Sequence, residues 1–466
     1  MSQYDKRFSM PKVHPIRYPK TNSWPLEPVQ QNESTNEGNI LIHEDIEERQ
    51  LGNDTDDPFW SEILKPYYGD LKTVLRILSV QSCRHDARRP FDSRKWIIPG
   101  LGLWHLRLNM LRLILKIHWG DHYSKDSSTL QWAADHWRRS NIINGQDFTK
   151  MKDFLIHSYQ ARITALTMHV VASTRGYHLT YTNSQFLRAL KKYSIPKYQS
   201  LLTDVINIIH SPDSKRQSPT LVEDEVMENH LRFMRHMEVY FLLRHAIKSG
   251  DIGMLRQALR DACVMFQAPD GNTFNYAAEL IRLIHLYCSE AADVALQEAM
   301  LTNSLVNLQC REGKCFETDR LLEYLNGVLK EGLNARRNST KRPDDLIAEL
   351  ALTVPYMLQL RVKIHGLVHR VYRGDHPEKS AAEDIRIMAA EILRRDMTSF
   401  GHRRFSAHVA TDLLRSGAQN IGANVDKYNE KLQMGAEWDP DTSSAVPVDI
   451  AARPGSPTTQ LMNDIT

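Results

Sequence analysis

The stretch PYYGDLKTVLRILSVQSCRHDARRPFDSRKWIIPGLGLWHLRLNMLRLILKIHW, Pro66 to Trp119, decides the fold. A short apolar and aromatic run ends at Gly69-Asp70 and gives way to helical spacing. The figure then repeats: a basic loop, a strand-like Lys95-Trp96-Ile97-Ile98-Pro99, a glycine-rich turn, and a long apolar helix carrying His105. An acid at one strand end and a histidine just past another is how polar groups reach a cleft at a sheet edge. Few other segments alternate with period two, so the β content reduces to a small sheet near residues 64–70 and 95–99. The fold class is mainly α, with a small α/β element and a large helical body.

The chain has 466 residues, 42% apolar and 25% charged, the composition of an ordinary globular protein. Its net charge of +3 creates no global field for nucleic acid. The charge is local: Asp70 to Gly120 carries ten Lys/Arg against three Asp, a net +7, leaving −4 for the rest. Such a basic island points to an anionic partner, or else to arginine stems lying over apolar surface. The cysteines, Cys83, Cys263, Cys288, Cys310 and Cys315, are five and include no C-x-x-C pair. Free thiols in a reducing compartment, nucleus or cytoplasm, are expected. The N-terminus lacks an apolar signal region, and the most apolar run, Leu101 to Trp119, holds Arg107, Arg112 and Lys116, so no membrane partner is expected.

Residues 1–37, rich in Pro, Asn, Ser and Gln, read as a disordered arm, and 431–466 as a disordered tail. Between them 38–430 reads as one large domain, with the α/β element at about 60–120 and the helical body at 130–430. Helical periodicity covers Asn39 to Leu51, Leu130 to Ser140, Phe148 to Ala172, Asn183 to Tyr193 and Tyr198 to His210. It continues over Leu221 to Ser249, Ile252 to Gln267, Phe274 to Leu308, Thr318 to Glu331, Asp344 to Tyr372 and Ala381 to Ser416. No fixed repeat period emerges, which disfavours a regular solenoid.

Several motifs fail on inspection. His365 and His369 stand one helical turn apart, but Gly366 occupies the place of a metalloprotease glutamate, so a packed helix is the better reading. His118 and His122 flank Gly120 at a helix end and read the same way. There is no G-x-G-x-x-G, no phosphate-binding loop and no G-x-S-x-G elbow. Asp70 is more informative: metal-dependent phosphoryl-transfer folds place a magnesium ligand at such a strand end, where two or three carboxylates hold the ions. On residues alone, capping of the next helix is the first reading for Asp70. His105 either orients a ligand or bonds a carbonyl in the core. A further acid is sought on a later helix, where Glu279 is the best candidate and Glu290, Glu298 and Glu323 are alternatives.

An ordered series of short segments resembles a known family. It runs from Asn32-Glu33-Ser34-Thr35 with Gly38-Asn39, through Gly69-Asp70-x-x-Thr73, to Pro99-Gly100 with Trp104-His105-Leu106 and Asn109. It continues with Gly250-Asp251-Ile252-Gly253, Asn275-Tyr276-Ala277-x-Glu279, Asn303-x-Leu305-Val306-Asn307, Asp319 to Asn326, and Asp344-Asp345-Leu346-Ile347. The series resembles the mainly fungal, uncharacterised domain-of-unknown-function family six-five-eight-nine. That family looks transposon-associated, with elements similar to the second acid and following histidine of ribonuclease-H-like transposases. The resemblance implies a ribonuclease-H-like α/β element, with Asp70 as second acid, His105 as the histidine and Glu279 as third acid. The family's upstream Tyr-Asp-Asn segment has only Tyr4-Asp5-Lys6 to correspond to it, so the N-terminus reads as truncated and the first acid as missing.

Three readings follow. The first is a transposon-derived, catalytically incomplete protein that binds DNA weakly through Lys72, Arg76, Arg84, Arg88, Arg89, Arg94 and Lys95. The second is an active nuclease or transposase, with Mg²⁺ held by Asp70 and Glu279. The third is a helical protein-interaction module. No cofactor is expected except Mg²⁺ under the second reading.

Overall fold

Lys65–Gly69 (β1) and Ile97–Leu101 (β2) pair in parallel, Tyr68 opposite Gly100, with helix Leu71–Cys83 (α2) between them. Each strand carries a proline, Pro66 and Pro99, which edge strands tolerate and central strands do not. The structure is a computed structural model describing residues 12–16, 21–22, 26–120, 126–139, 142, 147–175, 193–211, 224–269, 276–288, 293–335, 345–346, 349–350, 353, 356, 381–401 and 403–433. The expected helices at Asn183 to Tyr193 and Asp344 to Tyr372 fall wholly or largely outside these, as do His122, His365, His369, Tyr4-Asp5-Lys6 and Glu290.

The chain is mainly helical and divides into two compact units, one of residues 1–107, 242–374 and 417–466, the other of 108–241 and 375–416. In the first unit, Asn36–Glu44 (α1) is capped by Thr35 and packs on α2. The parallel pair rests on an aromatic nucleus of Trp60, Phe91 and Trp96 with Ile77 and Ile97. Phe91 and Trp96 stack at 5.4 Å between centroids, and Trp60 tilts against Trp96 at 4.6 Å. After β2 comes Leu103–His118 (α3), which begins in this unit.

The second unit contains Leu130–His136 (α4), Phe148–Arg175 (α5) and Ile195–Ile209 (α6), with α6 packed on α5. Glu225–Ser249 (α7) begins there and ends in the first unit, which continues with Ile252–Phe266 (α8), capped by Asp251. Sequence periodicity predicts one helix from Phe274 to Leu308. The chain instead forms Tyr276–Cys288 (α9) and Val294–Asn303 (α10), then the strand Leu305–Val306 (β3). Asp293 starts α10 afresh by accepting the Leu296 N–H at 3.0 Å. β3 pairs antiparallel with Phe316–Glu317 (β4), followed by Thr318–Ala335 (α11).

The expected single helix from Ala381 to Ser416 is also two. Ala382–Arg394 (α12) lies on α5 and stops where Asp396 takes φ +52°, while Leu413–Gln433 (α13) forms separately. Gly417 packs α13 against α8 so closely that a Cβ there would fall on the Val264 carbonyl.

Candidate functional site

The carboxyl ends of β1 and β2 set the site. Asp70 directly follows β1 and caps α2, its Oδ1 accepting from Thr73 N at 2.8 Å and Thr73 Oγ1 at 3.0 Å. Gly69 lets the turn close, because a Cβ there would meet the Thr73 Cβ at 2.7 Å. Gly102 N donates to Gly69 O at 2.6 Å, which joins the two strand ends, and α3 starts one residue later.

The start of α3 is held by Asp319, the second residue of α11. Its carboxylate accepts from Trp104 N and His105 N, each at 3.1 Å, and stands 3.0 Å from His105 Nδ1. A carboxylate belongs there, where the first-turn N–H groups lack partners and the helix dipole is positive. Gly102 makes the room: a Cβ at that position would land on the Asp319 carboxylate. Two residues before Asp319, buried Glu317 pairs with buried Arg107 of the same helix. The β4–α11 junction therefore clamps the first turns of α3 through two carboxylates.

Burial opposes charge on His105, but the hydrogen bond and charge of Asp319 outweigh it, with Asp70 and Glu323 adding to the effect. The pKa of His105 is raised above its usual value. Its contribution to stability is therefore complete below pH 6.5 and lost as pH rises through the raised pKa. Asp319→Asn should bring the NMR titration of the His105 ring back toward or below 6.5; an unmoved titration would remove Asp319 from this role.

Of the sequence candidates, His105 is bonded by Asp319, while the charges of Asp70 and Glu323 also act on its ring. Glu279 on α9 is engaged elsewhere. Its carboxylate grips Arg282 with two bonds of 2.7 and 2.8 Å, the pair being about 2% exposed, and Arg282 also donates to Pro99 O at 2.8 Å. Burial disfavours the Arg282 charge, and Glu279 more than compensates, so the guanidinium pKa is raised. Glu279 is committed to Arg282 through both oxygens, and Asp70 Oδ1 caps α2. Among the described residues, no three of His, Cys, Asp and Glu converge to hold a metal ion.

The seven expected DNA contacts also separate. Arg94 is wholly buried, with φ +56°, donating to Phe91 O at 2.7 Å and Glu44 Oε1 at 2.9 Å. Arg76 is buried, and Arg89 is paired with Asp56 at 2.9 Å and Asp92 at 2.7 Å. Exposed Lys72 lies at the Asp70 end of α2, about 18 Å of helix from Arg84 at the other end. Exposed Arg88 and Lys95 and half-buried Arg84 lie in or beside the loop after α2, where Lys95 Nζ donates to His85 O at 2.9 Å.

The residues missed by sequence reasoning are Asp319 and Glu317. Asp319 stands inside one of the segments quoted above, yet it meets His105 across 214 positions of chain, a pairing that spacing cannot reveal. Against this geometry, the profile of a family of unknown function, DUF6589, matches residues 1–376 of the 466. The chain belongs to DUF6589. Neither curated proteins nor solved structures give a match. In this DUF6589 chain the matched region includes the whole βαβ unit, the Glu279–Arg282 pair and the α11 start. Among its described residues no helix is long and apolar enough to cross a membrane.

Proposed function

We propose that the chain is a transposon-derived protein whose βαβ unit descends from a ribonuclease-H-like core. On this reading it no longer cleaves, and it binds nucleic-acid backbone weakly through the loop after α2. The observation that carries it is the commitment of Glu279 to Arg282 inside the first unit. A carboxylate that neutralises a buried guanidinium is poorly disposed to hold a metal ion. The order acid, helix, strand, histidine supports the ancestry. An intracellular setting, nucleus or cytoplasm, accords with five cysteines that are all free thiols.

The surviving basic surface sets the expected strength. Arg84, Arg88 and Lys95 would neutralise about three phosphates, giving a slope of log K against log salt of about −3 rather than the −6 of a seven-residue footprint. Fluorescence anisotropy with labelled DNA at several salt concentrations measures it. Charge reversal of the three together should abolish binding. A slope near −6, or binding that survives the reversal, places the interface elsewhere.

A further inference from the structure

The segment before α1 is held at a place the reading above does not use. Val13 N and His14 N donate to the two carboxylate oxygens of Asp251, at 2.7 and 2.9 Å. His14 O accepts from Ile252 N, and Ile16 N donates to Gly250 O, both at 2.9 Å, so residues 14–16 add an extended segment to the α7–α8 turn. Further on, Thr21 N donates to Asn307 O at 3.0 Å and Asn307 N donates to Thr21 Oγ1 at 2.9 Å. Lys12 pairs with Glu312 at 2.6 Å, both partners well exposed. These contacts are with main chain more than with side chains, the mode by which extended peptides are recognised. Val13 itself stays 67% exposed.

The receiving surface is shaped for this. A Cβ on Gly253, in the first turn of α8, would meet Val13 Cγ1 at 2.6 Å. A Cβ on Gly250, at φ +64°, would meet Cys315 Sγ at 2.8 Å and Ile16 Cγ1 at 3.0 Å. The Gly250-Asp251-Ile252-Gly253 motif thus has a physical reason: the glycines leave space and Asp251 supplies two acceptors. Asn307 completes the wall, its Nδ2 donating to Arg311 O at 2.9 Å and lying 3.4 Å from Cys315 Sγ.

We propose that Gly250–Gly253 with the Asn307–Cys315 loop is a recognition socket for one extended peptide, filled in cis by residues 12–16 and 21–22 and exchangeable in trans for a separate peptide of the same sequence. Ile16 is the apolar anchor, standing over Gly250 beside the thiol of Cys315, which is 3% exposed.

Cys315 provides the readout. In the full-length protein, alkylation by iodoacetamide followed by mass spectrometry should find exposed Cys83 and Cys310 fast, and Cys315 and Cys263 slow. Ile16→Asp releases the anchor and should raise the rate at Cys315 by about tenfold or more through local opening, with Cys263 of α8 still protected. A synthetic peptide KVHPIRYPKTN, residues 12–22, should restore protection in that variant, whereas the same peptide carrying the Ile16→Asp change should not. The proposal is overturned if Cys315 stays as slow as Cys263. It is overturned equally if both thiols open together, or if the peptide gives no protection.

Discussion

Glu279→Gln should lower the stability of the first unit by about 3–5 kcal/mol, because it leaves the buried Arg282 guanidinium without its counter-charge. A neutral amide keeps one acceptor but cannot balance a cation removed from water. The paired change Glu279→Gln with Arg282→Met should recover most of the loss, since both ends of a buried ion pair can often be replaced by groups of similar volume. Urea denaturation of the two variants and the parent measures this directly. A metal-ligating acid behaves in the opposite way: its neutralisation relieves repulsion and leaves stability equal or higher. A Glu279→Gln protein as stable as the parent would therefore reopen the catalytic role for this residue.

Acid should unfold the protein well before its carboxylates titrate. His118 and His230 are fully buried and held well below the usual histidine pKa, first by burial and then by neighbouring histidine or arginine groups. His236 is lowered by burial, which Asp412 only partly opposes, and His43 is lowered to about 3 by burial and Arg94. Three of the four, His118, His230 and His236, lie in the second unit. There His236 Nε2 accepts the Leu413 N–H at 3.1 Å, so the neutral ring carries its proton on Nδ1 and donates it to His118 Nε2 at 2.8 Å. Neither ring can take a second proton without breaking this chain.

A group whose folded pKa is depressed binds protons more readily when unfolded, so stability is intact above pH 6.5 and falls as pH drops below it. Each histidine held far below its usual pKa costs about 1 kcal/mol per pH unit below 6.5, so His118, His230 and His43 act together, and His236 adds in the same direction. Denaturant midpoints at pH 7.5 and 5.5 should differ sharply, with His118→Gln and His230→Gln each reducing the difference. Equal midpoints would contradict the buried neutral assignment. His105 has the opposite sign, its contribution being lost as pH rises.

The parts that were legible in the sequence are those set by neighbours. The first strand, the helix after Asp70 and most long helices follow from spacing and punctuation within a dozen residues, whereas the second strand reads two residues early, at Lys95–Pro99 instead of Ile97–Leu101, because Gly100 reads as a turn but pairs with Tyr68. The end of α9 at Cys288, the fresh start of α10 after Asp293 and the stop at Asp396 were not legible, because apolar spacing continues through both places while a cap at Asp293 and a left-handed Asp396 set the ends. Arg94 looked like surface charge because arginine usually is. It is interior here, where its two terminal nitrogens donate to the Phe91 carbonyl and Glu44 and the Phe91 ring lies 4.2 Å away. For the site, Asp70 and His105 were readable as the ends of a repeated strand-and-helix figure. Their association with Asp319 depends on the whole intervening chain folding back, as does the pairing of Arg107 with Glu317.

The most direct measurement is a cleavage assay. Purified full-length protein, incubated with labelled single- and double-stranded DNA and Mg²⁺ or Mn²⁺ at low salt, is predicted to retard the DNA and leave it intact. Strand cleavage by the parent protein that disappears in an Asp70→Ala variant of equal stability would contradict the account.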